Sequence, residues 1–293
     1  MSRDGVSYPL VWNLGRRKLT ISHRPLVMGI LNVTPDSFSD GGKHHDAEVA
    51  VATAIAMQND GADIIDIGGE STRPYSDPVG VEEELDRVLP VIESLAGKIS
   101  IPISIDTSKS AVAAAAVQAG AEIINDVTGF DGDPAMVDVA VQTGVGVCVM
   151  HMQGNPQTMQ DSPSYENVVA EIHAYLMARR DLCLAAGISI DRICLDPGIG
   201  FGKTHDHNLT LLKATRTFTD LGCPILIGHS RKGFIRKLLG GGATDLTAGT
   251  LGVTLAVAAA GANVVRVHDV RETVQALTLF EASGGLAAAK RQR

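Results

Sequence analysis

PISIDTSKSAVAAAAVQAGAEIINDVT, residues Pro102–Thr128, contains one complete repeat of the architecture. A short apolar run, Pro102–Thr107, ends on Asp106 and Thr107. A helix-like stretch follows over Lys109–Ala119, closed by Gly120, a residue suited to the left-handed turn that ends a helix. A second run, Glu122–Thr128, carries Asn125 and Asp126. Runs this short and this rich in Ile and Val predict strands buried on both faces, as in a parallel sheet crossed over by helices.

Outward from this unit the pattern repeats. Strands are predicted at Val27–Thr34, Asp63–Gly69, Val145–His151, Ile193–Gly198, Pro224–Ser230 and Val264–Asp269 as well. Helices are predicted at Ala47–Asp60, Val81–Leu95, Tyr165–Ala186, Asn208–Asp220, Ala248–Ala260 and Arg271–Ser283. Regular alternation without a composition break predicts an α/β protein built as one (β/α)8 TIM barrel over residues 26–285. An open doubly wound sheet is the structural alternative, but the glycine fingerprint expected after its first strand is missing. Leu10–Ser22, with a turn at Asn13-Leu14-Gly15, reads as an N-terminal β-hairpin within an extension of residues 1–25, placed to cover the barrel bottom. Residues 286–293 read as a flexible tail.

Composition narrows the function classes. The 293 residues are 45% hydrophobic and only 4% aromatic, so aliphatic side chains must fill the core. A net charge of −8 argues against a general nucleic-acid binder. The longest apolar run, around Leu251–Gly261, is too short to span a membrane, and the N-terminus shows no secretory signal. Cys148, Cys183, Cys194 and Cys223 lack metal or redox spacing and read as buried free thiols, so a cytoplasmic location is expected.

In a barrel of this kind the chemistry sits at the C-terminal ends of the strands. Here those ends carry Asn32 with Thr34, Asp36 and Asp40; Thr72 and Arg73; Asp106; Asn125; His151; Asp196; Ser230, Arg231 and Lys232; and Arg266 with His268. Asp106, Asn125 and Asp196 suit the amino–amide edge of a flat heterocycle. Arg73, Arg231, Arg266 and His268 supply positive charge for an anionic ligand, and the oxygens of the first loop suit Mg2+ on a pyrophosphate. Singly, each motif has a plainer reading. Asp196-Pro197-Gly198 is a turn, Asp106 is a helix cap, and Arg266 and His268 are a solvated pair. Convergence at every strand end outweighs these readings taken together.

Met28–Gly42, Asp66–Pro74, Ser104–Thr107, Asn125–Val127, Met150–Gly154, Leu195–Lys203, Ser230–Lys232 and Arg266–His268 together resemble the signatures of the dihydropteroate synthase family, in order, over about residues 26 to 283. The resemblance implies a transferase that condenses dihydropterin pyrophosphate with p-aminobenzoate in folate biosynthesis. It implies a pterin pocket of Asp106, Asn125, Met150, Asp196, Phe201 and Lys232, and a p-aminobenzoate frame of Phe38, Thr72, Arg73, Pro74 and Ser230, the target of sulfonamides. Asn32, Arg73, Arg266 and His268 would meet pyrophosphate, with Mg2+ at Asn32, and Asn32, Asp36, Asp106, Lys232, Arg266 and His268 would serve catalysis. A homodimer is implied too. Two residues depart from the pattern. Tyr75 stands where glycine is more usual, and His229, in place of a small residue, either crowds the mouth or points away. A pterin-dependent methyltransferase and a non-catalytic pterin-binding protein are the competing functions.

Overall fold

The computed structural model describes residues 10–34, 43–73, 75–242 and 244–286, with the backbone alone for 43–45. An antiparallel hairpin of β1 (Leu10–Asn13) and β2 (Lys18–Ile21) comes first. Strands and helices then alternate: β3 (Leu26–Asn32), α1 (Lys43–Asn59), β4 (Ile64–Gly68), α2 (Val81–Leu95), β5 (Ile103–Asp106), α3 (Ser110–Ala119), β6 (Ile123–Asp126), α4 (Met136–Thr143), β7 (Gly146–Met150) and α5 (Val168–Ala185). The chain continues through β8 (Ile193–Asp196), α6 (His205–Lys213), α7 (Thr215–Phe218), β9 (Leu226–Ile227), α8 (Gly233–Leu238), α9 (Thr247–Ala259), β10 (Val264–Val267) and α10 (Val270–Ala282).

Strands β3 to β10 form one eight-stranded parallel sheet in the order β8-β7-β6-β5-β4-β3-β10-β9. A parallel bridge between Leu195 and Ile225 joins its two ends and closes the barrel. Period-two alternation then divides the strand residues between two cores. Val27, Ile65, Ile105, Ile124, Val149, Leu195 and Val265 pack outward against the helices. Met28, Ile64, Ile123, Cys148, Cys194, Leu226 and Val264 fill the lower interior, together with Trp12, Leu14 and Ile21 of the hairpin.

The hairpin therefore seals the bottom, as expected from sequence. Gly15 adopts φ +83° in its turn, where a Cβ would lie 2.6 Å from the Gly144 carbonyl oxygen. Trp12 Nε1 donates to the Arg192 carbonyl at 3.0 Å, so a wholly buried indole keeps its polar atom satisfied. Arg17 Nε meets Glu122 at 2.8 Å. Leu286 is buried as well, and the remainder of the expected tail lies outside the described residues.

Three expected helices differ in extent, α1 by beginning at Lys43, four residues before Ala47. The Tyr165–Ala186 stretch becomes helical only at Val168, because the Asn167 side chain accepts from Ala170 N (3.1 Å) and caps the first turn there. The Asn208–Asp220 stretch starts earlier and breaks. Thr204 and His207 form a reciprocal capping box that begins α6 at His205, and the chain turns at Ala214 into α7 and a 3-10 turn. His205-Asp206-His207 thus occupies a helical first turn. All four cysteines are free and buried. No described helix is long and apolar enough to cross a membrane.

Candidate active site

Above the aliphatic plug, the same inward-facing alternation changes chemistry. Two residues beyond Ile64 on β4 stands Asp66; two beyond Ile123, Cys194 and Val264 stand Asn125, Asp196 and Arg266. Asp106 ends β5 and pairs in register with Asn125 on one side and Gly68 on the other. Arg266 donates from Nε to Asp66 and from Nη2 to Asp106, both at 2.6 Å. Asn125 Nδ2 donates to the same Asp66 oxygen at 3.1 Å. Asp66 is fully buried, and its second oxygen has no protein partner.

Burial governs the ionisation of this layer. It pushes the Asp106 carboxyl up to about 7 in spite of Arg266 beside it, and Asp66 adds like-charge repulsion. Burial opposes the Arg266 charge, but Asp66 and Asp106 outweigh that and hold the guanidinium above its ordinary value. Asp196 is also raised by burial, although its Oδ1 accepts from Gly198 N at 2.7 Å. Burial draws the Lys232 ammonium down to about 7, against the pull of Asp196. Lys232 donates to the Ile199 carbonyl and lies 4.3 Å from the Phe201 ring centroid. Met150 is the register partner of Asp196 and is buried beside it. The six residues expected to form a heterocycle pocket therefore share one mouth.

The run after β8 is shaped by glycine. Gly198 sits at φ +69°, and a Cβ there would fall 1.9 Å from the His151 carbonyl oxygen. Within this coil Lys203 is almost wholly buried, its Nζ held by His151 Nδ1 (3.0 Å), His151 O (3.3 Å) and Phe201 O (2.9 Å). Three acceptors match the three N–H donors of an ammonium. Asn208 completes the support, accepting from Gly200 N at 2.7 Å and donating to Thr204 O at 2.9 Å.

At the rim, the His268 backbone N donates to Ser230 Oγ at 3.2 Å, and its Nδ1 lies 3.0 Å from the same hydroxyl. Burial lowers His268 to about 4, and the charges of Arg266, Arg231 and Arg73 press the same way, so the ring is neutral near pH 7. Asn32 ends β3, half-buried, while Thr72 and Arg73 lie in the loop between β4 and α2. Two of the plainer readings of single motifs fail here, whereas Asp196-Pro197-Gly198 is a turn, closed by Gly198 N on Asp196 Oδ1. Asp106 caps no helix, because the N-cap of α3 is Lys109, and Arg266 points into the barrel rather than to solvent.

Arg231 departs from expectation. Its guanidinium is paired with Asp269, and its backbone is left-handed at φ +57°, so its charge is already matched. His229 points away from the mouth, fully buried against α9, with Nε2 2.8 Å from Thr254 Oγ1. Tyr75 adopts φ +66°, the conformation in which glycine is the easier residue, and is largely exposed. Asp36, Phe38 and Pro74 lie outside the described residues. Sequence reasoning passed over Asp66, Lys203 and Asn208 as separate contributors. Only Asp66 left a signal, a carboxylate at an inward position of a buried strand.

A closed parallel barrel with a buried acid–amide–guanidinium layer at the carboxyl ends of its strands defines a pterin-type barrel enzyme, and residues 28–268 match the pterin binding enzyme family. The dihydropteroate synthase of Escherichia coli (strain K12) is 48% identical over 265 residues, covering 90% of this chain and 93% of that protein. The Xanthomonas albilineans dihydropteroate synthase structure with 4-aminobenzoic acid superposes with a TM-score of 0.88 at 46% identity, covering 94% of this chain and 98% of that one. The Yersinia pestis dihydropteroate synthase structure with a sulfonamide drug complex gives a TM-score of 0.84 at 45% identity, covering 90% and 96%. The chain belongs to the dihydropteroate synthase family, transferases of folate biosynthesis.

Proposed function

We propose that the buried polar layer and its rim divide the two substrates of the family reaction, dihydropterin pyrophosphate below and p-aminobenzoate above. The observation that carries this reading is the joined cluster of Asp66, Asp106, Asn125 and Arg266, set beside Asp196 and Lys232 in an otherwise aliphatic barrel. Asp106, Asn125 and Asp196 face the amino–amide edge of the pterin, Lys232 meets a ring carbonyl or nitrogen, and Met150 and Phe201 wall the ring. Asn32, Arg73, Arg266 and His268 receive the pyrophosphate, while Thr72, Arg73, Ser230 and, by family resemblance, Phe38 and Pro74 frame p-aminobenzoate.

The reaction breaks the C–O bond between the pterin methylene and pyrophosphate, which leaves with the electron pair. The aniline nitrogen then forms a C–N bond to that methylene and gives up a proton to pyrophosphate or water, producing dihydropteroate. Fixed carboxylates near the ring stabilise positive charge as it develops, and Arg266 and Arg73 stabilise the departing negative charge. A weakly basic arylamine attacking a cationic carbon needs no strong general base, in keeping with a His268 that is neutral but hydrogen-bonded.

Among the described residues no cluster of three or more His, Cys, Asp or Glu could hold a metal. A single amide oxygen, that of Asn32, nonetheless suits Mg2+, which takes oxygens chiefly from substrate phosphates and water. Bound there with pyrophosphate, Mg2+ would neutralise leaving-group charge. Family resemblance further implies a homodimer, and the sequence reading a cytoplasmic location, with the barrel over residues 26–285 preceded by the hairpin extension of 1–25 and followed by a tail of 286–293. The discriminating experiment is pyrophosphate release assayed with dihydropterin pyrophosphate and Mg2+. Release that depends on p-aminobenzoate is expected. No p-aminobenzoate-dependent increase in release, with the pterin substrate bound but not turned over, favours a methyltransferase or a non-catalytic pterin-binding protein instead.

A further inference from the structure

The loop that carries Thr72 and Arg73 is tied at its middle, where Tyr75 N donates to Pro156 O at 3.1 Å and Ser76 Oγ to Arg73 O at 2.9 Å, and again at its root. A partly open pocket of about 140 Å3 lies between this loop and Ser108, Thr128, Met152 and Pro156. Its two ends are tied to each other by one carboxylate. Glu70, at the start, accepts from Val79 N, at the end, through Oε1 at 2.9 Å. The other oxygen of Glu70 takes Lys109 Nζ at 2.7 Å, and the same ammonium reaches Glu84 Oε2 at 2.6 Å. Glu84 is fully buried in the first turn of α2, with its second oxygen unpartnered.

The root has no room to shift. A Cβ on Gly69 would lie 2.8 Å from Val88 Cγ1 and 3.0 Å from Glu84 Cγ, and Arg87 Nη1 fixes the Gly69 carbonyl at 2.7 Å. Lys109 comes from another part of the barrel. It is the N-cap residue of α3, three residues after Asp106 at the end of β5. One cation thus links the strand that carries a pterin-pocket acid to both ends of the neighbouring loop. Burial opposes the Lys109 charge, but the two carboxylates outweigh it and hold the ammonium above its ordinary value.

We propose that Lys109, Glu70 and Glu84 form a charged clasp that sets the position of the second loop, making them positioning residues for p-aminobenzoate recognition. The inference rests on the reading of Thr72 and Arg73 as part of the p-aminobenzoate frame. Without the cation, Glu70 and Glu84 repel each other, and the root is driven off α2 while the pterin layer inside the barrel is left intact. The fraction of enzyme with a competent loop falls, and the apparent affinity for the second substrate falls with it.

The test compares Lys109→Met, Glu84→Gln, Lys109→Arg and Arg73→Ala by steady-state kinetics, with calorimetric titration of dihydropterin pyrophosphate. Lys109→Met is expected to raise KM for p-aminobenzoate about tenfold with the pterin Kd and kcat at saturation near wild type. Glu84→Gln moves the same constants in the same direction, and Lys109→Arg, which keeps the charge, restores most of the loss. Should Lys109→Met fail to fold, the isosteric Glu84→Gln carries the test. Unchanged KM in the clasp variants while Arg73→Ala raises it overturns the clasp alone. A pterin Kd that weakens in step with KM overturns it too, since that reports general loosening. If Arg73→Ala itself leaves KM unchanged, the substrate placement falls and the clasp with it.

Discussion

The two ends of this barrel interior are built from the same strands and differ in almost everything else. At the bottom, Trp12, Leu14 and Ile21 of the hairpin meet Met28, Ile64, Ile123 and Val264 in a fully buried apolar cluster. At the top, the next inward positions bring Asp66, Asp106, Asn125, Asp196 and Arg266 together, with several ionisable groups moved far from their ordinary behaviour. Backbone strain divides the same way. The described non-glycine residues with positive φ are Tyr75, Phe130 and Arg231, and each lies in a loop that follows a strand at the mouth. The lower half is optimised for packing, and the upper half holds charge in a place where packing alone would exclude it.

The comparison can be broken from below. Trp12→Ala removes the largest side chain of the plug and is expected to cost about 3–5 kcal/mol of stability by transfer and cavity terms. KM values measured below the new melting transition should stay near wild type. Denaturant unfolding that shows little change, or kinetics that collapse with stability, would mean the two ends are not separable.

From above, the expected effect is on binding. Asp196→Ala deletes a buried carboxylate facing the pterin and should weaken that ligand by about 2–5 kcal/mol, the range for truncating one partner of a buried charged contact. Thermal stability should fall as well, because Gly198 N loses its acceptor and Lys232 loses a buried counter-charge. Calorimetry that finds near wild-type pterin affinity in this variant sinks the assignment of the layer.

A finer effect is expected from pH. The competent free enzyme carries Asp106 as carboxylate and Lys232 as ammonium, and burial brings both to about 7 from opposite directions. Below that pH Asp106 gains a proton, and above it Lys232 loses one, so kcat/KM for the pterin substrate should trace a bell centred near pH 7. Lys232→Arg should keep the acid limb and lose the alkaline one; a wild-type profile that stays flat from about pH 6 to pH 8 refutes the ionisation scheme. The linked effect on stability has a definite sign. Because the folded-state Asp106 sits above its unfolded value, its contribution is present at low pH and is lost as pH rises through about 7.

Most of the fold could be read from sequence because buried parallel strands write themselves as Val- and Ile-rich runs, and Gly61, Gly120 and Gly261 mark helix ends with positive φ. The site was legible for a related reason: Asp106, Asn125, Asp196 and Arg266 are polar interruptions at the ends of apolar runs. Asp66 escaped separate notice because it lies in mid-strand, where only the inward register reveals its role. Lys203 escaped because nothing local says that a lysine will be wrapped by the carbonyls of His151 and Phe201. Arg231 was misdirected for a similar cause, since its partner Asp269 lies 38 residues along the chain and meets it only after β10 is in place.

The one-strand thickness of the barrel wall has a consequence for how such a sequence can drift. Ile105 and Asp106 are consecutive, yet one packs among the helices and the other meets Arg266 inside the tube. The same holds for Ile124 and Asn125, and for Leu195 and Asp196. Neighbours in the chain are therefore exposed to different selection, the first for shape against a helix and the second for complementarity to a ligand. Lineages can exchange one aliphatic residue for another on the outer face, retune the temperature at which the barrel melts, and pass the inner face on unaltered.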